Sequence, residues 1–300
     1  MISNNRFDKL NVRWVLFLLP GLLLGQLSDL ARLEYTNLPS LSTDFEFVRT
    51  RALVNYPIKL DGKGSYLLIG LDYSNINLIL GNGERPFEQR EIDGFQIFDF
   101  NIGYTAKINE DWRFGVRVVP GFSSNLSAQK LGFDDAVLSG DLVFIKDKKS
   151  SPGIDTPFRL IVGLSYGGNR GFPYPLPFIS YYRKFHPKWS YNLGIPKTNL
   201  QYHISEKHRM KANLQLDGFT ANIQNGLSLT TGQVAESINM SSILSGLQYE
   251  FHFSEHLEFF LRSSYIIVRD LQLRDGQKDN ILLLDNSHGL SLRTAIRLKI

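Results

Sequence analysis

Apolar and polar residues alternate with period two over segments much longer than the about 5 or 6 residues of an ordinary strand, and this alternation constrains the chain more than any motif in it. In the last segment, Leu290, Leu292, Ile296, Leu298 and Ile300 share one face with Thr294, while Ser291, Arg293, Ala295, Arg297 and Lys299 share the other. Phe98, Phe100, Ile102, Tyr104, Ala106 and Ile108 likewise oppose Asp99, Asn101, Gly103, Thr105 and Lys107. Met210, Ala212, Leu214 and Leu216 oppose Lys211, Asn213, Gln215 and Asp217, and Ile243, Leu247, Tyr249, Phe251 and Phe253 oppose Gln248, Glu250 and His252. Helical periodicity is almost absent. The chain reads as all-β, built of strands with one apolar and one polar face.

The connections are of two kinds. Ile108–Trp112, Phe185–Trp189, Ile204–His208 and Phe253–Leu257 each place three mainly polar residues after a bulky one, and in most cases before another, as tight hairpin turns do. Between them run longer stretches at 81–93, 126–134, 167–175, 224–237 and 272–287. Short turns at one end and long loops at the other are the layout of an antiparallel up-and-down transmembrane β-barrel, each tilted strand needing about 9–11 residues to cross. Candidate strands fall at 44–58, 65–80, 94–108, 112–125, 135–146, 157–166, 176–185, 189–195, 198–204, 208–223, 238–253, 257–271 and 288–300. That odd total conflicts with the even counts of single-chain barrels. Either residues 30–38 add a first strand, or the 189–204 hairpin is not a full crossing pair; the expectation is about 12 strands, within a range of about 10–14.

The N-terminus reads as an export signal. Arg6, Lys9 and Arg13 precede an apolar run from Trp14 to Leu24, too short to span a bilayer, and cleavage after Gly25 would leave a barrel domain over 26–300. No cysteine follows Gly25, which argues against a lipoprotein, and an uncleaved anchor is the other reading. The segment holds three basic and one acidic residue, so without it the formal charge falls from +4 to +2. A balance this weak gives no reason to expect nucleic acid. The absence of cysteine removes thiol chemistry, disulfides and thiolate metal sites. A mean hydropathy of -0.15 excludes a bundle of membrane helices, yet it is what strands with one lipid-facing and one lumen-facing side would average.

A soluble barrel would write the same alternation with its apolar face inward, so an exported soluble ligand-binding barrel stays open as an alternative. Large apolar residues along whole strands, and the aromatic residues Tyr56, Tyr66, Trp112, Phe185, Trp189 and Phe253 near strand ends, favour the membrane, where amphipathic rings sit at the interface. Leu-Pro-Phe-Ile-Ser-Tyr-Tyr at 176–182, Asn-Leu-Gly-Ile-Pro at 192–196 and Leu216-Asp217-Gly218 resemble an uncharacterised outer-membrane β-barrel family, a domain of unknown function of Bacteroidota-type Gram-negative bacteria. The resemblance implies Sec export, insertion by the barrel machinery and contact with outer-membrane lipid and lipopolysaccharide; it implies no activity. Ile300 stands where such barrels usually end on an aromatic residue. A monomer with no cofactor is expected.

The polar face supplies the candidate functional residues. Lys107, Arg113, Arg117, Arg159, Lys211, Arg262, Arg293, Arg297 and Lys299 would face the lumen with Asp99, Asp141, Asp217, Glu250 and Glu258. Such a lumen could pass anionic solutes, or its charges could satisfy one another in a plugged interior. His203 and Ser205 lie two apart, on one face of a strand as the base and nucleophile of an outer-membrane lipid hydrolase need, and resemble the His-x-Ser element of lipid A deacylases. Glu206 points to the other face, however, and Ser205 occupies the turn position that Ser254 fills elsewhere. The six histidines have no metal-ligand spacing, and Gly167–Gly171 lacks the lysine and helix of a phosphate loop. No metal site and no catalytic residue are expected; the lipid hydrolase remains the enzyme alternative.

Overall fold

The computed structural model describes residues 29–39, 45–81, 86–87, 92–128, 130–148, 158–172 and 174–299. The expected signal at 1–25 lies outside them. Fifteen strands follow in order: β1 (Asp29–Leu38), β2 (Glu46–Lys59), β3 (Tyr66–Ile79), β4 (Gly94–Lys107), β5 (Trp112–Ser124), β6 (Ala136–Asp147), β7 (Phe158–Gly167) and β8 (Leu176–His186). They continue with β9 (Trp189–Ile195), β10 (Lys197–His203), β11 (His208–Ser228), β12 (Val234–His252), β13 (Leu257–Arg274), β14 (Asn280–Asp285) and β15 (Gly289–Lys299). Each strand from β1 to β13 pairs antiparallel with the next, β13 pairs with β15, and β15 returns to β1. The ring therefore closes on fourteen strands, and every strand of it has a hydrogen-bonded neighbour on both sides, as a hydrocarbon environment requires.

This corrects the expected count of about 12. Residues 30–38 do supply the first strand, pairing Leu33 with both Ala52 and Ile296, and the short β9–β10 hairpin is a true member of the ring. β14 lies outside the ring, paired only with the last residues of β13, in a stretch read from sequence as loop. β11 and β12 also run further than expected, to Ser228 and from Val234, so that their connection shrinks to a tight turn.

The burial pattern decides which face looks outward. Along β1, Leu33 is 67% exposed and Glu34 only 6%. The same holds around the ring. Leu71, Tyr73, Phe98, Phe100, Val118, Leu142, Leu164, Leu214, Leu247, Leu261 and Leu292 are exposed, while Asp72, Asn101, Gln215, Gln248, Glu250, Arg262 and Ser291 are buried. A soluble barrel would show the reverse, since burial of apolar surface drives its folding. Phe185, Trp189, Tyr56 and Phe253 are exposed near the short turns, but Tyr66 points inward, sharing the parity of Asp72, and does not belong to that aromatic belt.

Inward parity persists along each strand while its chemistry changes. On β2 it reads Phe47, Arg49; on β3 Asp72, Ser74, Ile76, Leu78; on β4 Phe95, Ile97, Asp99, Asn101; and on β11 Gln215, Asp217, Phe219, Ala221, Ile223. Near the short turns the interior is charged. Toward the long loops it becomes an apolar core that also takes in Ile238, Met240, Leu271 and Leu273. On β13 a bulge at Ile267, between the pairs Ile243–Val268 and Leu244–Ile266, shifts the parity so that Leu271 and Leu273 still face the core.

The long-loop end is also pinched. β11 reaches across the ring to β5, where Asn222 pairs with Ser124, the Asn125 amide donates to the Asn222 carbonyl at 3.1 Å and the Ser123 hydroxyl to the Thr220 carbonyl at 2.6 Å. β9 and β10, at seven residues each against twenty-one in β11, leave the wall low between β8 and β11. Pairing of β10 with β11 ends at Lys197–Gln215, followed by one bond from the Leu216 amide to the Pro196 carbonyl.

Candidate functional site

The turns fix the strand ends and settle the His203–Ser205 geometry. The Ser205 hydroxyl accepts the Lys207 and His208 amides at 3.3 and 3.2 Å, and Ser254 accepts those of His256 and Leu257 at 3.3 and 3.0 Å. Asn109 does the same for Asp111 and Trp112, at 2.9 Å each. Ser205 is thus a turn residue. His203 instead lies 2.8 Å from the hydroxyl of Ser190 on β9. Ser190 has no exposed surface, and among the described residues no carboxylate bonds the histidine. The Ser190 hydroxyl thus offers no surface to a substrate, and among the described residues no acid orients the half-buried histidine as a base.

The lumen charges form three levels. Nearest the short turns, Glu250 takes Lys211 at 2.5 Å, Arg297 at 3.0 Å and Arg209 at 3.4 Å, while Glu258 takes Arg297 and Lys299. Arg262 donates to Gln215 at 2.6 Å and to Gln248, which in turn donates to Glu250. His252 stands 3.5 Å from Glu258 and 3.9 Å from Glu250, a group of three potential metal ligands. The cations already on both carboxylates compete for the same lone pairs, so this set suits ion pairing better than a metal.

At the middle level the lumen is bridged from side to side. Asp217 on β11 pairs with Arg49 on β2 at 3.2 Å and with Arg293 on β15, and Glu34 on β1 lies 3.8 Å from Arg293 and 3.9 Å from Arg49. β2 is five places from β11 around the ring, so the Arg49–Asp217 pair crosses the interior. The third level is on the far wall. Arg51 pairs with Asp72, and Arg117 with Asp141, whose other oxygen accepts Ser165.

Of the residues expected to line the lumen, Asp141, Arg117, Lys211, Asp217, Glu250, Glu258, Arg262, Arg293, Arg297 and Lys299 are thus gathered into these networks. Arg113 donates to the Gly64 carbonyl at 3.1 Å, at the mouth by the short turns, and Lys107 is exposed there. Arg159 is half-buried on β7. Among the described residues, Asp99 receives only the Asn169 amide, at 2.8 Å. Sequence reading missed Glu34, Arg49, Arg51 and Asp72, although the inward parity of β1, β2 and β3 places each of them in the lumen.

Asn169 and Arg170 belong to the β7–β8 connection, which folds inward. The Thr220 amide donates to the Asn169 carbonyl at 3.0 Å, and the Asn239 side chain to the Gly171 carbonyl at 3.0 Å. Gly171 has φ +81°, and a Cβ there would collide with the Met240 carbonyl. Only glycine allows so close an approach to β12. Beneath this loop is a cavity of about 190 Å³. Arg49, Arg51, Asp72, Asp99, Arg170 and Asp217 are its charged lining residues, and Phe172, Leu176, Pro177, Phe178, Pro196 and Leu216 are among its apolar ones. Pro177 also faces outward, beside exposed Ile179, so the cavity reaches the wall at the low stretch between β8 and β11.

A comparison with curated proteins found no match. Among solved structures, the NanC porin aligns over 90% of this chain and 100% of its own at 8% identity and a TM-score of 0.39. The toluene transporter TodX of Pseudomonas putida aligns over 91% and 90% at 10% identity and a TM-score of 0.34. The translocator domain of the autotransporter NalP from Neisseria meningitidis aligns over 90% and 86% at 10% identity and a TM-score of 0.35. A family model described as "Domain of unknown function (DUF6268)" matches residues 39–300, which spans β2 to β15 and with them the cavity and every member of the charge networks described above but Glu34, and the chain belongs to that family.

Proposed function

We propose that this protein is an outer-membrane β-barrel whose axis does not conduct ions and whose wall holds a side-opening cavity. Export through the Sec pathway and a short-turn end in the periplasm complete the reading. The outward apolar belt supports the membrane, since exposed apolar surface on this scale far exceeds the patches of a soluble monomer. The observation that carries the closed axis is the contact of β11 with β5 above an apolar core, with the β7–β8 loop beside it. Passage of solute then narrows to the cavity at the low wall. Of the two readings of the charged lumen, anion passage or mutual pairing in a plugged interior, the ion pairs within and across it support the second.

Reconstitution into planar bilayers tests this reading. The protein should give no stepwise conductance in either dilute or concentrated salt, while migrating heat-modifiably on gels and fractionating with outer membranes. Sustained ohmic steps from the purified barrel would contradict the closed axis, and recovery in the soluble periplasm would contradict the location.

A further inference from the structure

We infer that the cavity at the low wall binds a small amphiphile whose head carries both an acidic and a basic group, as an apolar α-amino acid does. This rests on the membrane reading above, because the cavity's apolar lining meets the lipid-facing wall. Three guanidiniums and three carboxylates line the cavity, and four of the six are committed to each other or to neighbours. Arg51 holds Asp72, and Arg49 holds Asp217, which also holds Arg293.

The remaining two are one of each sign. Arg170 has Asp141 as its nearest carboxylate, at 4.0 Å, and Arg117 and Ser165 already occupy that carboxylate; the Arg170 side chain is 44% exposed. Asp99 has the neutral Asn169 amide and, among the described residues, no cation at ion-pair distance. The two sit on adjacent pieces of structure, since Asn169, which bonds Asp99, directly precedes Arg170. A partly desolvated cation and anion that do not pair with each other are costly unless a ligand completes both. A carboxylate accepts the Arg170 fork, and an ammonium donates to Asp99.

The apolar lining defines the body of the ligand. Phe172, Leu176, Pro177, Phe178, Pro196 and Leu216 offer no charge and, with two prolines among them, few backbone donors. An aromatic or branched side chain of a few carbons buries there, and a pocket that is mostly apolar with a few convergent polar groups is the common form of a small-molecule site.

The test is equilibrium dialysis of the full-length mature barrel in lipid nanodiscs, against empty discs, with L-phenylalanine, 3-phenylpropionate and 2-phenylethylamine. These probes share a body and carry both charges, the acid alone and the amine alone. Phenylalanine should bind saturably and at least about tenfold tighter than either of the others, the scale of one charge-assisted hydrogen-bond pair. Arg170→Gln should abolish the advantage over the amine, and Asp99→Asn the advantage over the acid. Leu216→Trp, which fills the mouth and leaves the charges in place, should abolish binding of all three. Heat-modifiable migration of each variant confirms that the barrel has formed, so a failure of folding reads separately from a failure of binding. No saturable binding above empty discs, equal binding of the three probes, or phenylalanine binding unchanged in Arg170→Gln and Leu216→Trp overturns the inference.

Discussion

Asp217 is the residue on which the interior depends most. Its carboxylate joins β11 to β2 and β15 through Arg49 and Arg293, and Glu34, 3.8 and 3.9 Å from the same two guanidiniums, is their second and more distant acid. Asp217→Ala should cost about 1–3 kcal/mol, since it leaves the two guanidiniums with only the longer Glu34 contacts, and should lower the urea midpoint of the detergent-solubilised barrel. An unchanged midpoint would show that water already screens these charges. Gly171 is the second sensitive position. Alanine there must adopt φ near +81° and meet the Met240 carbonyl, so Gly171→Ala should displace the loop at a cost of about 1–3 kcal/mol and raise protease cleavage within 168–172. Asp135, in the β5–β6 connection, accepts the Asn222 side chain at 2.7 Å, the Gly132 amide at 2.7 Å and the Gln224 side chain at 2.5 Å. Burial works to raise its pKa, but these hydrogen bonds outweigh it and hold the carboxyl below its ordinary value. A group lowered in this way stabilises the folded loop above its unfolded pKa, and that contribution disappears as pH falls through the folded value. Amide exchange at Gly132 should therefore accelerate in acid, below the ordinary carboxylate range, and Asp135→Asn should remove that dependence.

Elements were legible where their two faces differed in kind. β4 and β15 were read nearly to their ends, because Phe98–Phe100–Ile102 opposes Asp99–Asn101 and Leu290–Leu292 opposes Ser291–Arg293. The outer ends of β11, β12 and β13, at 224–228, 234–237 and 272–274, were not. There Gln224-Asn225-Gly226, Glu236-Ser237 and Gln272 leave too few apolar residues to mark a face, although Leu227 and Leu273 still pack the core. Period two then loses its contrast, and strands were mistaken for loops. A plugged interior is one of the two readings the sequence allows, but the contact that closes it, Asn222 with Ser124, joins residues distant in sequence and leaves no local signal. β9 and β10 were doubted for their length, and their shortness is the feature that opens the wall. Extending this hairpin by two residues on each side, with Val and Thr outward, should cover the mouth and reduce access of a thiol reagent to a cysteine placed at Leu216.

For the whole molecule, alternation specified a barrel but left its polarity open, because an inside-out barrel and a soluble one share one pattern. Burial resolves this, with Leu33, Phe100, Leu261 and Leu292 outside and Glu34, Asn101, Arg262 and Ser291 inside. Most of the polar face could be listed from sequence, but not who pairs with whom, since Arg49 and Asp217 are 168 residues apart. The absence of native cysteine makes the polarity directly measurable. Single cysteines at Leu33, Phe100 and Leu292, and at the inward-facing positions Thr36, Asn101 and Ser291, can each be nitroxide-labelled in protein reconstituted in liposomes. Their collision rates with oxygen and with a water-soluble nickel chelate can then be compared. The first three should collide readily with oxygen and hardly with nickel, and the second three weakly with oxygen. Outward labels that collide freely with the nickel chelate would place the apolar belt in water and contradict a membrane-embedded barrel.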